Sequence, residues 1–592
     1  LEPRQRLPEE TSPLMNPITL TPTVSGLPPL YGEFATLPDA LDYAAQGRTG
    51  FNFYSGRGEL IESLPYSQLR EEALRIAKIL ISIGMKRGDR LALVAENDGN
   101  FARIFFACQY AGIVPVPLPL PVAFGGRESY ILTTRGMISS CEAKAVVIPD
   151  IIGSWEGEIL EGLDLRFGGS PDKLFENSPS EDIDLPKVSS EDLSYIQFSS
   201  GSTRFPMGAS ITQKSALANT HAISCYGLEG ITGDRAISWL PLYHDMGLVG
   251  FFLTPICSQI SVDFLPTREF ARRPHIWLKL ISENRSTISY SPSFGFDLCA
   301  RRGVREELDL SSWRVAGIGG DMVRPEVLRA FAETFSECGF DKGALVPSYG
   351  MAETTLALTF APLGRGMQTD IIDLNELENN NIAKPVSSEG CARSREFVLC
   401  GYPLPKHELQ VRREDGRVLP ERSVGRIFAR GLSVMRGYFN RPEESKAVFD
   451  KNGWLDTGDL GYFLNGQIVI TGRAKDLIIT NGRNVWPQDL EWSVEHAISG
   501  VRSRDVAVFS VTTDSGEDIV TAMVHCRLQE KEAQENLRSE IIALFRRLHG
   551  VDAKVVLVPP RTLPQTSSGK LSRAKAKALL VSKKVSDISE DN

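Results

Sequence analysis

Residues 195–208 read YIQFSSGSTRFPMG. An apolar, strand-like run at 195–198 breaks directly into small hydroxylated residues and glycine. Such a break presents backbone N–H groups and hydroxyls that suit a phosphate. Gly201 permits a close backbone approach that a side chain would block. The GxxxxGK[ST] spacing of a P-loop is absent. Taken alone, the run fits an ordinary surface loop as well as a nucleotide-phosphate loop, and its neighbours in the sequence have to decide between them.

The chain of 592 residues is longer than one hydrophobic core usually serves, so at least two domains are expected. With 42% hydrophobic and 23% charged residues it has the composition of a globular protein. The net charge is -9 and no basic block stands out, which argues against a nucleic-acid partner. Nine cysteines lie singly, with no CxxC pair, and seven histidines are dispersed without an HxxxH pair. Free thiols in a reducing compartment fit this pattern better than disulfides or a zinc site. No apolar run reaches the length of a membrane span, so no stable membrane insertion is expected. The polar opening LEPRQRLPEETSP lacks the apolar core of a signal peptide, and a cytoplasmic location is expected.

Outward from the 199–208 run, helical and strand-like segments alternate. Residues 67–83 carry Leu69, Ala73, Ile76, Ala77 and Leu80 at helical spacing. Strands are expected at 90–94, 145–148, 236–240, 287–290 and 315–318, with a helix beginning at Pro325 and running through Phe335. This alternation predicts an α/β fold with largely parallel sheets. Residues 363–395 differ: they are rich in Asn, Glu, Gly and Ser, hold one apolar patch at Ile371, Ile372, Leu374 and Leu377, and read as an insertion. A β-rich subdomain is expected over 401–470. After about Lys475 the pattern predicts a compact α+β unit: helix 487–498, strands 506–511 and 519–526, helix 532–548 and strand 555–558.

Four further segments follow the opening run in a fixed order. PSYGMAE (347–353) supplies an aromatic ring and a carboxylate, and LDTGDLG (455–461) places Asp459 in a glycine-flanked turn. TGRAKDLI (471–478) brings basic residues to the start of the small unit, and TSSGK (566–570) carries a lone lysine. Each alone fits a common turn or a charged hinge. Together and in this order, the five resemble the adenylate-forming superfamily of acyl-CoA synthetases, luciferases and peptide-synthetase adenylation domains, over nearly the whole chain. WLPLYHDMGLVG (239–250), SPSFGFDLCARR (291–302), GRNVWPQDLE (482–491) and the insertion resemble the fatty acyl-AMP ligases within it.

The resemblance implies a large N-terminal adenylation domain over 1–474, containing the insertion and the β-rich subdomain, and a small mobile α+β C-terminal domain over 475–592. It implies that a fatty acid carboxylate attacks the α-phosphate of ATP, giving acyl-AMP and pyrophosphate, with Mg²⁺ as cofactor. Ser199, Ser200, Gly201, Ser202 and Thr203 would cradle the β- and γ-phosphates, and Glu353 would bind the metal. Tyr349, flanked by Ser348, Gly350, Met351 and Ala352, would pack on adenine, with Gly319, Gly320 and Asp321 in the same binding segment. Asp459 would accept the ribose hydroxyls, Arg473 would assist at ribose or phosphates, and Lys475 would mark the hinge. Lys570 would be the catalytic lysine, bridging the substrate carboxylate and the α-phosphate. His244, beside Asp245, would lie near that carboxylate, with an entry-gating role and proton transfer both open. Val249, Phe251 and Phe294 are candidates for an acyl tunnel or for core packing. Many relatives carry Gly and Lys where this chain has Arg204 and Met207, and Arg204 is expected to supply part of the missing charge.

In acyl-AMP ligases such an insertion packs on the N-terminal domain and hinders the rotation that builds a thioester site with CoA. The expected product is therefore acyl-AMP destined for an acyl carrier protein acting in trans, since the chain ends soon after Lys570. A fatty acyl-CoA synthetase and an inactive acyl-adenylate sensor are the alternatives, and retained Glu353, Asp459 and Lys570 argue against the sensor.

Overall fold

The computed structural model describes residues 18–121, 126–179, 182–199, 206–305, 307–386, 393–480, 483–513, 518–566 and 570–588. Ser200, Gly201, Ser202, Thr203 and Arg204 lie outside the described residues. The predicted 67–83 helix forms as Tyr66–Ser82 and buries the apolar stripe of Leu69, Ala73, Ile76, Ala77 and Leu80. The following strand is Arg90–Val94, and Val315–Ile318 keeps its predicted bounds. The other predicted strands settle as Ala143–Val147, Arg235–Ser238 and Ile288–Ser291. Pro325 opens the helix Pro325–Thr334 at its first turn, where a missing N–H costs nothing.

Arg235–Ser238, Ser261–Phe264, Ile288–Ser291, Val315–Ile318 and Leu345–Gly350 form the parallel centre of a nine-stranded sheet. One edge is extended antiparallel by Ala357–Phe360 and Tyr402–Pro403; at the other, Gly50–Tyr54 runs parallel to Ser261–Phe264 and pairs antiparallel with Leu60–Pro65. A second, fully parallel sheet runs in the order Val114–Leu118, Arg90–Val94, Ala143–Val147, Phe167–Gly169. Helices Tyr66–Ser82 and Gly99–Ala111 pack on one another, and Phe101, Phe105 and Phe106 meet Phe252 and Phe51 in an aromatic core. Phe252 comes from the π-helical turn Met246–Leu253, a geometry that recurs at functional sites.

Leu193–Phe198, which leads into the opening run, pairs antiparallel with Gly208–Thr212, and the Ser199 N–H donates to the Met207 carbonyl at 2.9 Å. The β-rich region is a four-stranded antiparallel sheet of His407–Arg412, Gly425–Gly431, Leu455–Leu464 and Gln467–Arg473. Beyond it, Val506–Thr512, Asp518–His525 and Ala553–Val558 make a three-stranded sheet covered by helices Pro487–Ala497 and Lys531–His549, with a core of its own.

The insertion is folded where described. Thr369–Asp373 pairs antiparallel with Ser394–Val398, and a helix, Leu374–Asn380, is capped by the Asp373 carboxylate. Ile372, Leu374 and Leu377 are buried against Val424, Tyr462 and Val469 of the β-rich sheet and against Trp486. Ile371 does not join this patch: it is 51% exposed, because neighbouring residues on a strand point to opposite faces.

Candidate active site

Strand ends and turns of the nine-stranded sheet and the four-stranded antiparallel sheet, with the end of Leu193–Phe198, converge on one cavity of about 470 Å³. Lys570, Asp459, Arg473 and Lys475 line its polar end, together with Ser199, His244, Gly319, Gly320 and the whole 348–353 segment. Of the described residues predicted to bind nucleotide or metal or to act in catalysis, Asp321 alone lies outside it, lining a neighbouring cleft of about 230 Å³ that also borders Gly320, Asp459 and Lys570.

Asp459 is not in a turn as expected. It sits inside Leu455–Leu464, opposite Arg473, and Gly458 supplies the kink at φ +75° that a β-turn composition hinted at. The Tyr349 hydroxyl donates to Asp459 Oδ2 at 2.8 Å, and Arg473 Nε lies 3.7 Å from Oδ1. Burial raises the Asp459 pKa, and Arg473, Tyr349 and Lys570 work the other way. Burial and the Asp459 charge hold the Tyr349 phenol protonated, so it stays a donor.

Glu353 follows the strand Leu345–Gly350 and is 8% exposed. A γ-turn at Thr355, closed by the Leu356 N–H on the Thr354 carbonyl at 2.8 Å, aims it. Thr355 is at φ +68° and its hydroxyl donates to the Ser433 carbonyl at 2.7 Å, which holds this strained backbone in place. The Tyr438 hydroxyl donates to Glu353 Oε1 at 2.9 Å. Burial raises the Glu353 pKa, partly offset by backbone and Tyr438 hydrogen bonds.

Lys570 reaches the cavity from a hairpin in which the Thr566 N–H donates to the Lys570 carbonyl at 2.7 Å. Its position is fixed by Arg573, which pairs with Asp476 and Glu491, each at 2.7 Å. The Lys570 ammonium stands over Gly320: a Cβ there would come 4.0 Å from Nζ and 2.7 Å from the Met246 sulfur. Gly320 also has φ +79°, a backbone conformation that favours glycine. Burial lowers the Lys570 pKa and Arg473 adds to this, while Asp321, Asp245 and Asp459 favour its charge. His244 Nδ1 lies 2.6 Å from Asp245 Oδ1. Burial opposes ionisation of Asp245, but His244, Lys570 and the Met246 N–H more than offset it and hold the carboxyl below its usual range.

The far end of the cavity is apolar, walled by Ile223, Leu228, Phe251, Ile288, Leu356 and Phe360. Of the three tunnel candidates only Phe251 lines it. Val249 is fully buried in the core, and Phe294 lines the neighbouring cleft under the Arg504 guanidinium at 4.4 Å. Sequence reasoning missed Tyr438, Arg426 and Gln197, which also line the cavity. Arg426 pairs with Asp456 at 3.1 Å, and the Gln197 amide donates to the Tyr243 carbonyl at 2.6 Å.

Residues 44–439 match the family of AMP-binding enzymes. The chain belongs to that family. AMP-binding enzymes use ATP. A Caulobacter vibrioides (strain NA1000 / CB15N) protein provisionally named an acyl-CoA synthetase is 51% identical over 563 residues, covering 95% of this chain and 98% of its own. A Moorena producens (strain JHB) protein named medium-chain-fatty-acid–[acyl-carrier-protein] ligase JamA is 31% identical, covering 92% of this chain and 94% of its own. A structure solved in studies of fatty acyl-adenylate ligases from E. coli and L. pneumophila superposes with a TM-score of 0.89 at 42% identity, covering 94% of this chain and all of that one. The fold is therefore the adenylate-forming α/β fold.

Proposed function

We propose that this AMP-binding enzyme is a fatty acyl-AMP ligase. The observation that carries this reading is that one cavity joins an apolar chamber to a polar end holding Lys570, Asp459 and Glu353. The alkyl chain occupies the chamber and its carboxylate faces Lys570. A carboxylate oxygen attacks the α-phosphorus, the bond from that phosphorus to the bridging oxygen of the β-phosphate breaks, and pyrophosphate leaves. The carboxylate is already ionised, so the step needs no general base, and His244 with Asp245 serves to orient rather than to move a proton. Lys570 supplies a point charge between the two anions that meet. Tyr349 and Asp459 hold the adenosine, and the departing phosphates are assigned to the Ser199–Thr203 run and to Arg426. The test is direct: protein, ATP, Mg²⁺ and dodecanoate yield dodecanoyl-AMP and pyrophosphate in equal amounts, and neither forms when the fatty acid is left out.

The residues present fit Mg²⁺. Among the described residues no group of three or more acidic, His or Cys side chains gathers to make a closed metal cage. The single buried carboxylate of Glu353 suits a hard cation held mostly by substrate phosphates and water. When bound, the ion offsets phosphate charge. Tyr438, through its hydrogen bond, orients Glu353 for that task. Tyr438→Phe is expected to raise the Mg²⁺ concentration needed for half-maximal adenylation about 10- to 100-fold, with ATP affinity measured without metal unchanged.

Met207 reaches the cavity wall where many relatives carry lysine, so Arg204 is assigned the compensating charge. Arg204→Ala should then reduce adenylation while Met207→Lys leaves it near wild type; full activity of Arg204→Ala removes that assignment.

The chain divides near Lys475 into a large N-terminal and a small C-terminal domain in this reading, and the insertion fastens one to the other. Arg395 of the insertion is buried, pairs with Asp489 at 2.8 Å and lies over the Phe397 ring at 4.2 Å. Glu378 pairs with Arg393 at 2.8 Å and Arg483 at 3.4 Å, and Arg324 with Glu495 at 3.2 Å. These contacts have to separate before the small domain can rotate. Acyl-AMP is then delivered to the phosphopantetheine thiol of a carrier protein in trans, as the name of the Moorena relative suggests for that protein. The acyl-CoA synthetase reading has the name of the Caulobacter relative in its favour. Cytoplasmic residence is supported by the eight free cysteines among the described residues, six of them buried. In those residues no helix is long and apolar enough to cross a membrane.

A further inference from the structure

Behind the apolar chamber lies a second cavity of about 270 Å³. The two share only Leu228 and Ile288 as walls. Leu228 follows the π-helical turn Ile223–Gly227 and is fixed from both sides. Its N–H donates to the Ile223 carbonyl at 2.7 Å, and its carbonyl accepts from Arg314 Nη1 at 2.9 Å. Ile288 is 3% exposed and begins the central strand Ile288–Ser291, so it cannot yield without disturbing the sheet. Leu228, at the end of a turn, outside the sheet and 7% exposed, is the half of the partition whose side chain a substitution can shorten without disturbing a strand.

The outer cavity is built for an apolar occupant. The side chains of Ser224, Ser258, Thr254, Gln259 and Asp234 on its wall are already hydrogen-bonded within the protein. The Ser224 and Ser258 hydroxyls lie 2.6 Å apart, and Thr254 donates to the Val249 carbonyl at 2.7 Å. Gln259 accepts from the Leu30 N–H at 3.0 Å and donates to the Cys257 carbonyl at 2.9 Å. The Asp234 carboxylate takes Arg314, Thr287 and the Ile231 N–H. Its apolar walls are Val24, Leu27, Pro29, Ile231, Ile260 and the two partition residues. Such a space holds methylenes better than water. It reaches the surface beside Val24 and Ile231, which are 40% and 55% exposed.

We propose that Leu228 sets the acyl chain-length limit by closing the acyl chamber against this second cavity, into which a longer chain passes when residue 228 is small. The inference rests on the fatty acyl-AMP ligase reading and names the substrate limit of the same site. It is tested with saturated carboxylates from octanoate to octadecanoate, ATP and Mg²⁺, following acyl-AMP. In Leu228→Ala the ratio of kcat/KM for hexadecanoate over dodecanoate is expected to rise about tenfold or more, the discrimination an added methylene commonly commands in an apolar pocket. Leu228→Phe is expected to lower the same ratio by a similar factor, and it decides the matter if the smaller variant does not fold. Stabilisation of each variant by ATP on heating shows that its fold is intact. An unchanged ratio in a folded variant overturns the proposal alone. Absence of acyl-AMP from every carboxylate with the wild-type protein overturns the ligase reading and this proposal with it.

Discussion

Lys570→Ala is expected to slow acyl-AMP formation by roughly 10²- to 10³-fold, the usual cost of removing one preorganised group that meets charge developing in the transition state. The argument rests on placement. Lys570 enters the cavity over Gly320, and its hairpin is locked by Arg573 on Asp476 and Glu491. The ammonium is therefore in place before the anions meet, and it costs no reorganisation at the moment of reaction. ATP affinity should change little, because the proposed reading gives adenosine to Tyr349 and Asp459 elsewhere in the cavity. Lys570→Arg should rescue only part of the rate, since a planar fork does not replace a compact point charge. Burial lowers the Lys570 pKa. The catalytic form is protonated, so the wild-type rate should fall on the alkaline side at a lower pH than an ordinary lysine would dictate. That limb should vanish in Lys570→Ala. Single-turnover measurement of acyl-AMP gives both results, and a variant within a few-fold of wild type would remove Lys570 from the chemistry.

Asp459→Ala is expected to weaken ATP binding about 10²-fold, with a smaller effect on the rate at saturating ATP. A hydrogen bond to a charged group contributes about 1.5–3 kcal/mol, and a carboxylate facing two ribose hydroxyls makes two of them. Asp459 is prepared for this by its surroundings: Tyr349 holds one oxygen at 2.8 Å and Arg473 stands 3.7 Å from the other. Truncation also leaves the Tyr349 hydroxyl, on a buried ring, without its acceptor. Calorimetric titration of the variant with ATP measures the effect, and unchanged affinity would place the ribose elsewhere.

The sequence carried the local structure well where periodicity and chemistry agree. The Tyr66–Ser82 helix follows from its apolar spacing, and Arg90–Val94 and Val315–Ile318 from short apolar runs between turn residues. The site was legible through Tyr349, Glu353, Asp459 and Lys570 because each sits in a short glycine- or hydroxyl-rich motif. Tyr438 and Arg426 carried no such signal. They are single polar residues in the β-rich region, brought to the cavity only by packing of Gly425–Gly431 and its neighbours. Val249 and Phe251 are two residues apart on a π-helical turn, and periodicity for an α-helix gives no rule for which faces the cavity. The insertion's polar composition concealed a strand–helix–strand unit. Its stability comes from contacts with Tyr462, Val469 and Trp486, all distant in the sequence.

Those contacts bear on what becomes of the adenylate. Arg395, Glu378 and Arg324 tie the insertion and the large sheet to the 475–592 segment while Lys570 points into the cavity. The arrangement favours making acyl-AMP over swinging the small domain to join it to CoA. The most direct measurement is to incubate the protein with ATP, Mg²⁺ and dodecanoate, with and without CoA, and to quantify both products. Dodecanoyl-AMP that accumulates to the same level in the presence of CoA is the predicted result; efficient conversion to dodecanoyl-CoA would contradict the account.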